Sequence, residues 1–300
     1  MRRSWALRLA ILVPFAWLVF FVLLPTLIAF KISLSQTVLA QPPYEPVLNP
    51  SGGWDAFVGF LNALSFENYG AVFSDSLYIA SYLKSLQVAA LSTALLLAAG
   101  YPIAYATARA PRRLRFLLLL LVMLPFWTAF LIRIYAWINI LQRDGLLNQL
   151  LLALGIVDAP VAWLASDTAV YIGIVYSYLP FMVLPLYATL ERMDDALREA
   201  AADLGAPPWK IFWQITVPLS RPGILAGVLL CFIPIVGEFV IPDLLGGSST
   251  LMIGQTLWTE FFANRDWPFA SVVALVMLVI LVGPIVFYEH LQARALEKAR

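Results

Sequence analysis

Two ionisable side chains stand inside long apolar runs of the sequence, Arg133 in FLIRIYAWIN and Glu238 in IPIVGEFVIP. Hydrocarbon offers such a charge no water, so it needs a partner or a task. Arg133 is seventeen residues from Phe116, and Glu238 is seventeen from Arg221. At about 1.5 Å per helical residue both reach roughly 26 Å from one membrane face. Equal depth lets Arg133 and Glu238 form an intramembrane ion pair. The other chemistry is that Glu238 attracts and passes a cation, exchanging Arg133 for it. Aromatic faces can assist, because a cation over a ring gains about 0.5–2 kcal/mol. Phe126, Phe130, Arg133 and Trp137 share one helical face, Trp127, Leu131 and Tyr135 another, and Tyr171 and Tyr178 align in a later run. The candidate pathway set is Glu238, Asp243, Trp127, Tyr135, Tyr178 and Phe239. The same rings also suit lipid-facing packing or an interfacial belt.

A second constellation lies in the polar segment 191–222. Met193, Leu197, Ala200, Ala201 and Leu204 recur at helical spacing, giving one apolar stripe on a short helix whose other face is charged. Gly205 is placed to end that helix, and Pro207-Pro208 prevents its continuation. Trp209, Ile211, Phe212 and Ile215 begin a further apolar stretch before Pro218. An interfacial helix lying over the mouth of a helix bundle has this periodicity. So does a docking helix: small residues at 200–202 permit close approach, Gly205 permits a sharp exit, and Glu199 projects a charge toward an outside partner.

Other chemistries find no residues to carry them. The sequence has no GxxxxGK[ST] stretch to cradle nucleotide phosphates and no HExxH or paired-histidine spacing; His290 is its one histidine. One cysteine, Cys231, permits no intrachain disulfide and no thiolate metal cluster. Gly246-Gly247-Ser248-Ser249 reads as a loop, with no base beside its serines. An enzyme is not expected. Nor is a nucleic-acid partner, since 19 basic residues meet 18 acidic ones.

The elements that must position these residues follow from hydrophobicity. With 62% hydrophobic and 12% charged residues, the chain exceeds what a soluble core hides. Windows of about 20 apolar residues predict an all-α polytopic membrane protein of six spans, near 9–30, 83–108, 116–141, 169–190, 223–241 and 269–288. They belong to a single transmembrane domain, 1–300, with an external segment 33–80 and an inner loop 191–222. Within the former, QPPYEPVLNPSGGW reads as irregular chain and Ser65–Tyr82 as a short amphipathic helix. The first span is expected to be a retained signal anchor, its apolar core being longer than that of a signal peptide. Every span carries proline, from Pro14 and Pro25 to Pro284, which suits a bundle that bends.

Basic residues set the orientation. With both termini cytoplasmic, fourteen Lys and Arg lie on the inner side and four on the outer. The net charge of +1 then separates into a basic inner face and an acidic outer one, and an acidic entrance concentrates cations.

One spacing is more specific than periodicity. Glu199-Ala200-Ala201, Gly205 six residues after the glutamate, Ile215 ten further on and Pro218 three after that resemble the EAA loop of ABC importer permeases. Val217 stands where leucine is usual. The resemblance implies a type I importer permease fold in which residues 191–222 form the coupling loop. Glu199, Ala200, Ala201, Gly205, Ile215 and Pro218 would then dock onto a cytoplasmic ATPase. Similarity runs from about Pro25 to Tyr288, through Leu124–Trp127, Phe130–Trp137, VYIGIVYSYLPFMVLP and GEFVIPDLLGG. It looks like the putrescine/spermidine-type permeases, most of all the putrescine member. That implies a polyamine substrate, a second homologous permease, two ATPase copies and a periplasmic or extracellular polyamine-binding protein. It also implies residence in the bacterial inner membrane and no cofactor on this chain, ATP and magnesium being held by the ATPase. A permease for another small solute and a gradient-driven secondary transporter are the alternatives; inverted repeats or an acidic proton relay would favour the latter, and neither is visible.

Overall fold

The structure, a computed structural model, describes residues 2–47 and 53–298. Leu48–Gly52 of the external segment and Arg300 of the inner basic set lie outside the described residues. The chain is mostly helical and divides into two compact units, 1–82 with 256–300, and 83–255.

In the first unit, α1 (Arg2–Leu18) passes through a π-helical stretch, Val19–Leu23, into α2 (Leu24–Ser33). The widened turn abuts Pro25, whose missing N–H leaves a carbonyl of the preceding turn without its helical bond. Ala10–Ser33 is long and apolar enough to cross a membrane, and none of its side chains before Ser33 is buried. The strands β1 (Gln36–Thr37) and β2 (Tyr44–Glu45) pair antiparallel. Lys31 holds this hairpin, its Nζ lying 4.1 Å from the Tyr44 ring centroid and donating to the Pro46 carbonyl at 2.5 Å. The helices α3 (Gly53–Asn62) and α4 (Glu67–Ser74) follow. Asp75, extended at ψ 120°, separates α4 from α5 (Ser76–Arg109), so the expected helix over 65–82 is two helices. Asp75 accepts from the Leu77 N–H at 2.8 Å, which caps the new start.

The second unit takes up α5 from Leu83 and then α6 (Arg112–Met123). Here the structure corrects the expected third span. Pro125 begins a tight turn over Leu124–Trp127, Thr128 and Ala129 are extended, and α7 (Phe130–Leu141) restarts at 90° to what precedes it. The depth assigned to Arg133 assumed a straight helix and does not hold across this bend. After α8 (Leu146–Ala153) comes α9 (Asp167–Glu191), capped by the Ser166 hydroxyl and continuous through Pro180 and Pro185.

The inner loop contains α10 (Ala196–Asp203), α11 (Pro208–Ile211), a π-helical stretch Phe212–Thr216 next to Pro218, and α12 (Val217–Leu219). A 65° bend then leads into α13 (Arg221–Val236). The expected fifth span, 223–241, is also corrected: α13 stops at Val236, Gly237–Phe239 break the helix, and α14 (Val240–Leu245) starts anew. Then come α15 (Ile253–Trp258), a π-helical stretch Thr259–Ala263, and α16 (Trp267–Lys298), which returns to the first unit and packs along α2. Among the described residues three helices are individually long and apolar enough to span, and up to five spans result if each bent pair counts as one.

Packing in the second unit depends on glycine. Met182 on α9 is fully buried between Gly100 on α5 and Gly227 on α13; an added Cβ would lie 2.9 Å from its Cγ at the first and 2.7 Å from its Sδ at the second. Removing two side chains lets three helices meet around one flexible thioether.

The connection after α7 is organised by a residue with no signature in the sequence. Asn148 is fully buried; its Nδ2 donates to the carbonyls of Gln142, Arg143 and Val161, and its Oδ1 accepts from the Val161 N–H and Trp163 Nε1. Asn148→Leu leaves these groups unmet. At about 1–3 kcal/mol for each buried unsatisfied group, the expected loss is at least about 3 kcal/mol, read as a lower thermal midpoint in detergent. Asn148→Asp, which sets an acceptor against three carbonyl oxygens, should be no better tolerated.

Candidate functional site

The inner loop departs from the expected helix in where it starts. Arg192–Asp195 interrupt the chain between α9 and α10, and the Asp194 side chain accepts from the Ala196 N–H at 3.0 Å. The loop is anchored by its polar edge. Asp195 pairs with Arg109 at the end of α5 and, at 2.9 Å, with Arg198; Glu191 pairs with Arg115 at 3.3 Å. Gly205 adopts φ +80° immediately past the helix, a conformation that a residue with a side chain rarely holds. Behind α10 lies a cavity of about 650 Å³ bordered by Tyr105, Arg109, Arg198, Glu199, Phe212 and Thr216.

The apolar stripe therefore faces away from the protein. Leu204 is 89% exposed, Trp209 62% and Trp213 63%, with Leu197 and Ala200 exposed between them. Had α10 served to cover its own bundle, those leucines would be buried and the charges outward. Among the described residues the Glu199 side chain has no ion-pair or hydrogen-bond partner. Ile215 and Pro218 are half-buried where the loop rejoins the bundle. Their segment is tied inward through Phe212, edge-on to Tyr101 and Tyr105, and through Ser220, 2.9 Å from the Tyr101 hydroxyl.

The intramembrane charges are placed differently from the expected pair. Arg133 and Glu238 are both buried, 8% and 9% exposed, yet no ion pair within 4.0 Å joins them. Glu238 lies in the break after α13, where its carboxylate is already engaged. Oε2 accepts from the Tyr178 hydroxyl at 2.6 Å, and Oε1 from the amides of Val240 and Ile241 at 3.1 and 3.4 Å. The Arg133 guanidinium lies instead over the rings of Phe126 and Phe130, 4.9 and 5.6 Å from their centroids. The helix break is the physical reason: it turns Glu238 toward Tyr178 and its own following amides, while the bend before α7 brings Phe126 beneath Arg133.

The structure thus unites Tyr178 with Glu238, and places Arg133, Phe126 and Phe130 with Tyr178 around one cavity of about 330 Å³. It leaves the other pathway candidates elsewhere. Trp127 and Tyr135 are exposed, Trp137 packs edge-on against Tyr176, and Asp243 is exposed on α14, accepting from Gln255 at 3.4 Å. Phe239 follows Glu238 in the break, half-buried. Among the described residues no cluster of His, Cys, Asp and Glu could hold a metal ion.

Sequence reasoning missed the supports of this site. Ser177 lines the same cavity next to Tyr178. Lys84, Asp167 and Thr250, far apart in sequence, tie α5, α9 and the loop before α15 together through contacts of 2.6 Å each. Gly254 is the most consequential. A Cβ there would come within 2.5 Å of the Gly237 carbonyl oxygen and 2.8 Å of that of Glu238. These are backbone atoms and cannot swing aside, so Gly254→Ala is expected to displace the Glu238 segment and lower the thermal midpoint in detergent. An isolated glycine inside an apolar helical stretch, marking close backbone approach, was the only signal available.

Comparison with known proteins places this geometry among relatives. Residues 97–296 match the family described as binding-protein-dependent transport system inner membrane component. The chain is 38% identical over 281 residues to the spermidine/putrescine transport system permease protein PotB of Haemophilus influenzae, covering 94% of this chain and 92% of that one. It is 40% identical over 265 residues to PotB of Escherichia coli strain K12, covering 88% and 90%. In fold it is similar to a chain of a bacterial alginate ABC transporter crystallised in complex with an alginate pentasaccharide-bound periplasmic protein. That likeness has a TM-score of 0.69 over 98% of this chain and 96% of that one, at 17% identity.

Proposed function

The chain belongs to the family of binding-protein-dependent transport system inner membrane components, and from that premise we propose that it is the permease subunit of an ATP-driven polyamine importer, forming with a second, homologous permease the path for putrescine or spermidine. In this reading the chain is one transmembrane domain of six spans with both termini cytoplasmic. An external binding protein delivers the substrate to the acidic outer face, and two copies of a cytoplasmic ATPase hold ATP and magnesium. The loop 191–222 couples them to the bundle. Polyamine chemistry comes from the spermidine/putrescine permeases to which the chain is similar.

One observation carries the coupling role: the EAA loop presents its apolar stripe outward, with Leu204, Trp209 and Trp213 exposed and its charged edge clasped to α5. An exposed apolar surface on a membrane protein's polar loop suits a protein partner. On the substrate side, Glu238 supplies a buried carboxylate beside Tyr178, the chemistry that an ammonium group recognises.

The test is co-expression with the candidate ATPase, second permease and binding protein, followed by reconstitution and uptake of radiolabelled putrescine with spermidine as competitor. ATP-dependent, spermidine-sensitive uptake is the expected result. Uptake by this chain alone under an ion gradient would overturn the ATP-driven reading. ATP-dependent transport indifferent to both polyamines would overturn the substrate.

A further inference from the structure

The cavity lined by Tyr178 has a cation in its wall. Nine-tenths of Arg133 is buried, its guanidinium rests over Phe126 and Phe130, and among the described residues its Nε and Nη1 have no hydrogen-bond partner. The Ser177 hydroxyl on the same wall is likewise without a partner among the described residues. Phe181 completes the ring wall, edge-on to Phe126 at 5.1 Å and tilted against Tyr178 at 6.0 Å. Tyr178 in turn donates to Glu238, so a cation in the cavity sits one hydroxyl away from a buried carboxylate.

A buried guanidinium normally has an acceptor for its N–H groups, because burying them unpaired is costly. Here ring faces hold it instead. Rings gathered around a positive charge are a recognition site for organic cations, and at about 330 Å³ the cavity is within the size range of small-molecule sites. A primary ammonium is more compact than a guanidinium and can turn its three donors toward the Ser177 and Tyr178 oxygens.

We propose that this cavity is an alkylammonium-binding site and that Arg133 is its tethered competitor. The arriving ammonium displaces the guanidinium from between the rings, and the return of Arg133 ejects the ammonium onward. A path that carries a cation past a buried carboxylate must avoid trapping it; a resident cation does this at the cost of a higher KM, speeding release. The proposal rests on the polyamine reading of the transported substrate.

The experiment is radiolabelled putrescine uptake by the complete reconstituted complex, with KM and kcat measured separately. Arg133→Met removes the competitor, so KM and kcat are both expected to fall several-fold. Arg133→Lys, which keeps a tethered cation, should stay within about twofold of the wild type in each. Phe130→Leu, which removes a ring face, should raise KM. An unchanged or raised KM in Arg133→Met overturns the proposal. If that variant fails to assemble, Phe126→Leu and Phe130→Leu decide it, and an unchanged KM in both overturns it. Should the wild-type complex take up neither putrescine nor spermidine, the substrate reading fails and this one falls with it. Normal wild-type uptake with an unaltered Arg133→Met KM overturns the competitor alone.

Discussion

Glu199→Lys and Gly205→Arg are each expected to reduce ATP-driven uptake by at least tenfold while leaving the chain inserted and expressed at wild-type levels. Neither position is part of a core. Glu199 has no partner among the described residues, and nothing lies within 4 Å of where a Cβ on Gly205 would project. Steric damage inside the bundle is therefore not the cause. For Gly205 the cause is twofold. Holding φ +80° costs a residue with a side chain roughly 1–2 kcal/mol, which favours a different exit from α10. A long basic side chain also then stands beside the exposed stripe of Leu204 and Trp209. For Glu199, exposed at the rim of the cavity behind α10, the change reverses the charge offered to a partner that reaches this rim, and like-charge juxtaposition across an interface costs several kcal/mol. The measurements are expression, retention of the ATPase on a tagged permease, ATP hydrolysis and uptake. Wild-type uptake by either mutant at normal expression would sink the coupling role.

The stripe that makes this surface was legible in the sequence because periodicity reports which residues share a face of a helix. It does not report which way the face points. Leu197 and Leu204 fit an inward or an outward helix equally, and in the structure it is the charged edge that turns to the bundle, with Asp195 reaching Arg109 across 86 residues. The spans were legible for the same reason, since burial in lipid needs only a run of apolar residues. Where they break was not. All the spans carry proline, but Pro180 and Pro185 leave α9 continuous, whereas Pro125 marks a 90° bend. The difference lies in the neighbours: α9 packs against α13 and α14, while Leu124–Trp127 has no buried residue to hold a straight course.

At the candidate site, sequence reasoning found both buried charges and joined them by equal depth along straight helices. Equal depth does not survive two breaks in the helices. Gly237–Phe239 end α13 before Glu238, and the turn at Pro125 precedes Arg133. Tyr178 was among the candidates as a ring, but its hydroxyl proved to matter, as the donor to Glu238. Asn148 left no signal and Gly254 only that of an isolated glycine, because their work is done on backbone groups that the fold brings to them.

Glu238→Gln should lower kcat/KM for putrescine by about tenfold or more with little loss of assembly. The substitution keeps the shape. Gln can present its carbonyl oxygen to the amides of Val240 and Ile241, while the Tyr178 hydroxyl, able to accept as well as donate, takes a bond from the new amide. The charge is what disappears. A hydrogen bond to a charged group is worth about 1.5–3 kcal/mol, and at about 1.4 kcal/mol per decade its loss amounts to roughly ten- to hundredfold. Glu238→Asp retains the charge on a shorter stem, so its loss should be intermediate. The order wild type, Asp, Gln in kcat/KM separates an electrostatic role from a packing one: if the carboxylate served only to cap α14, the isosteric Gln would outperform the shorter Asp. Measured on complexes of matched assembly, uptake by Glu238→Gln equal to the wild type would remove this residue from the path.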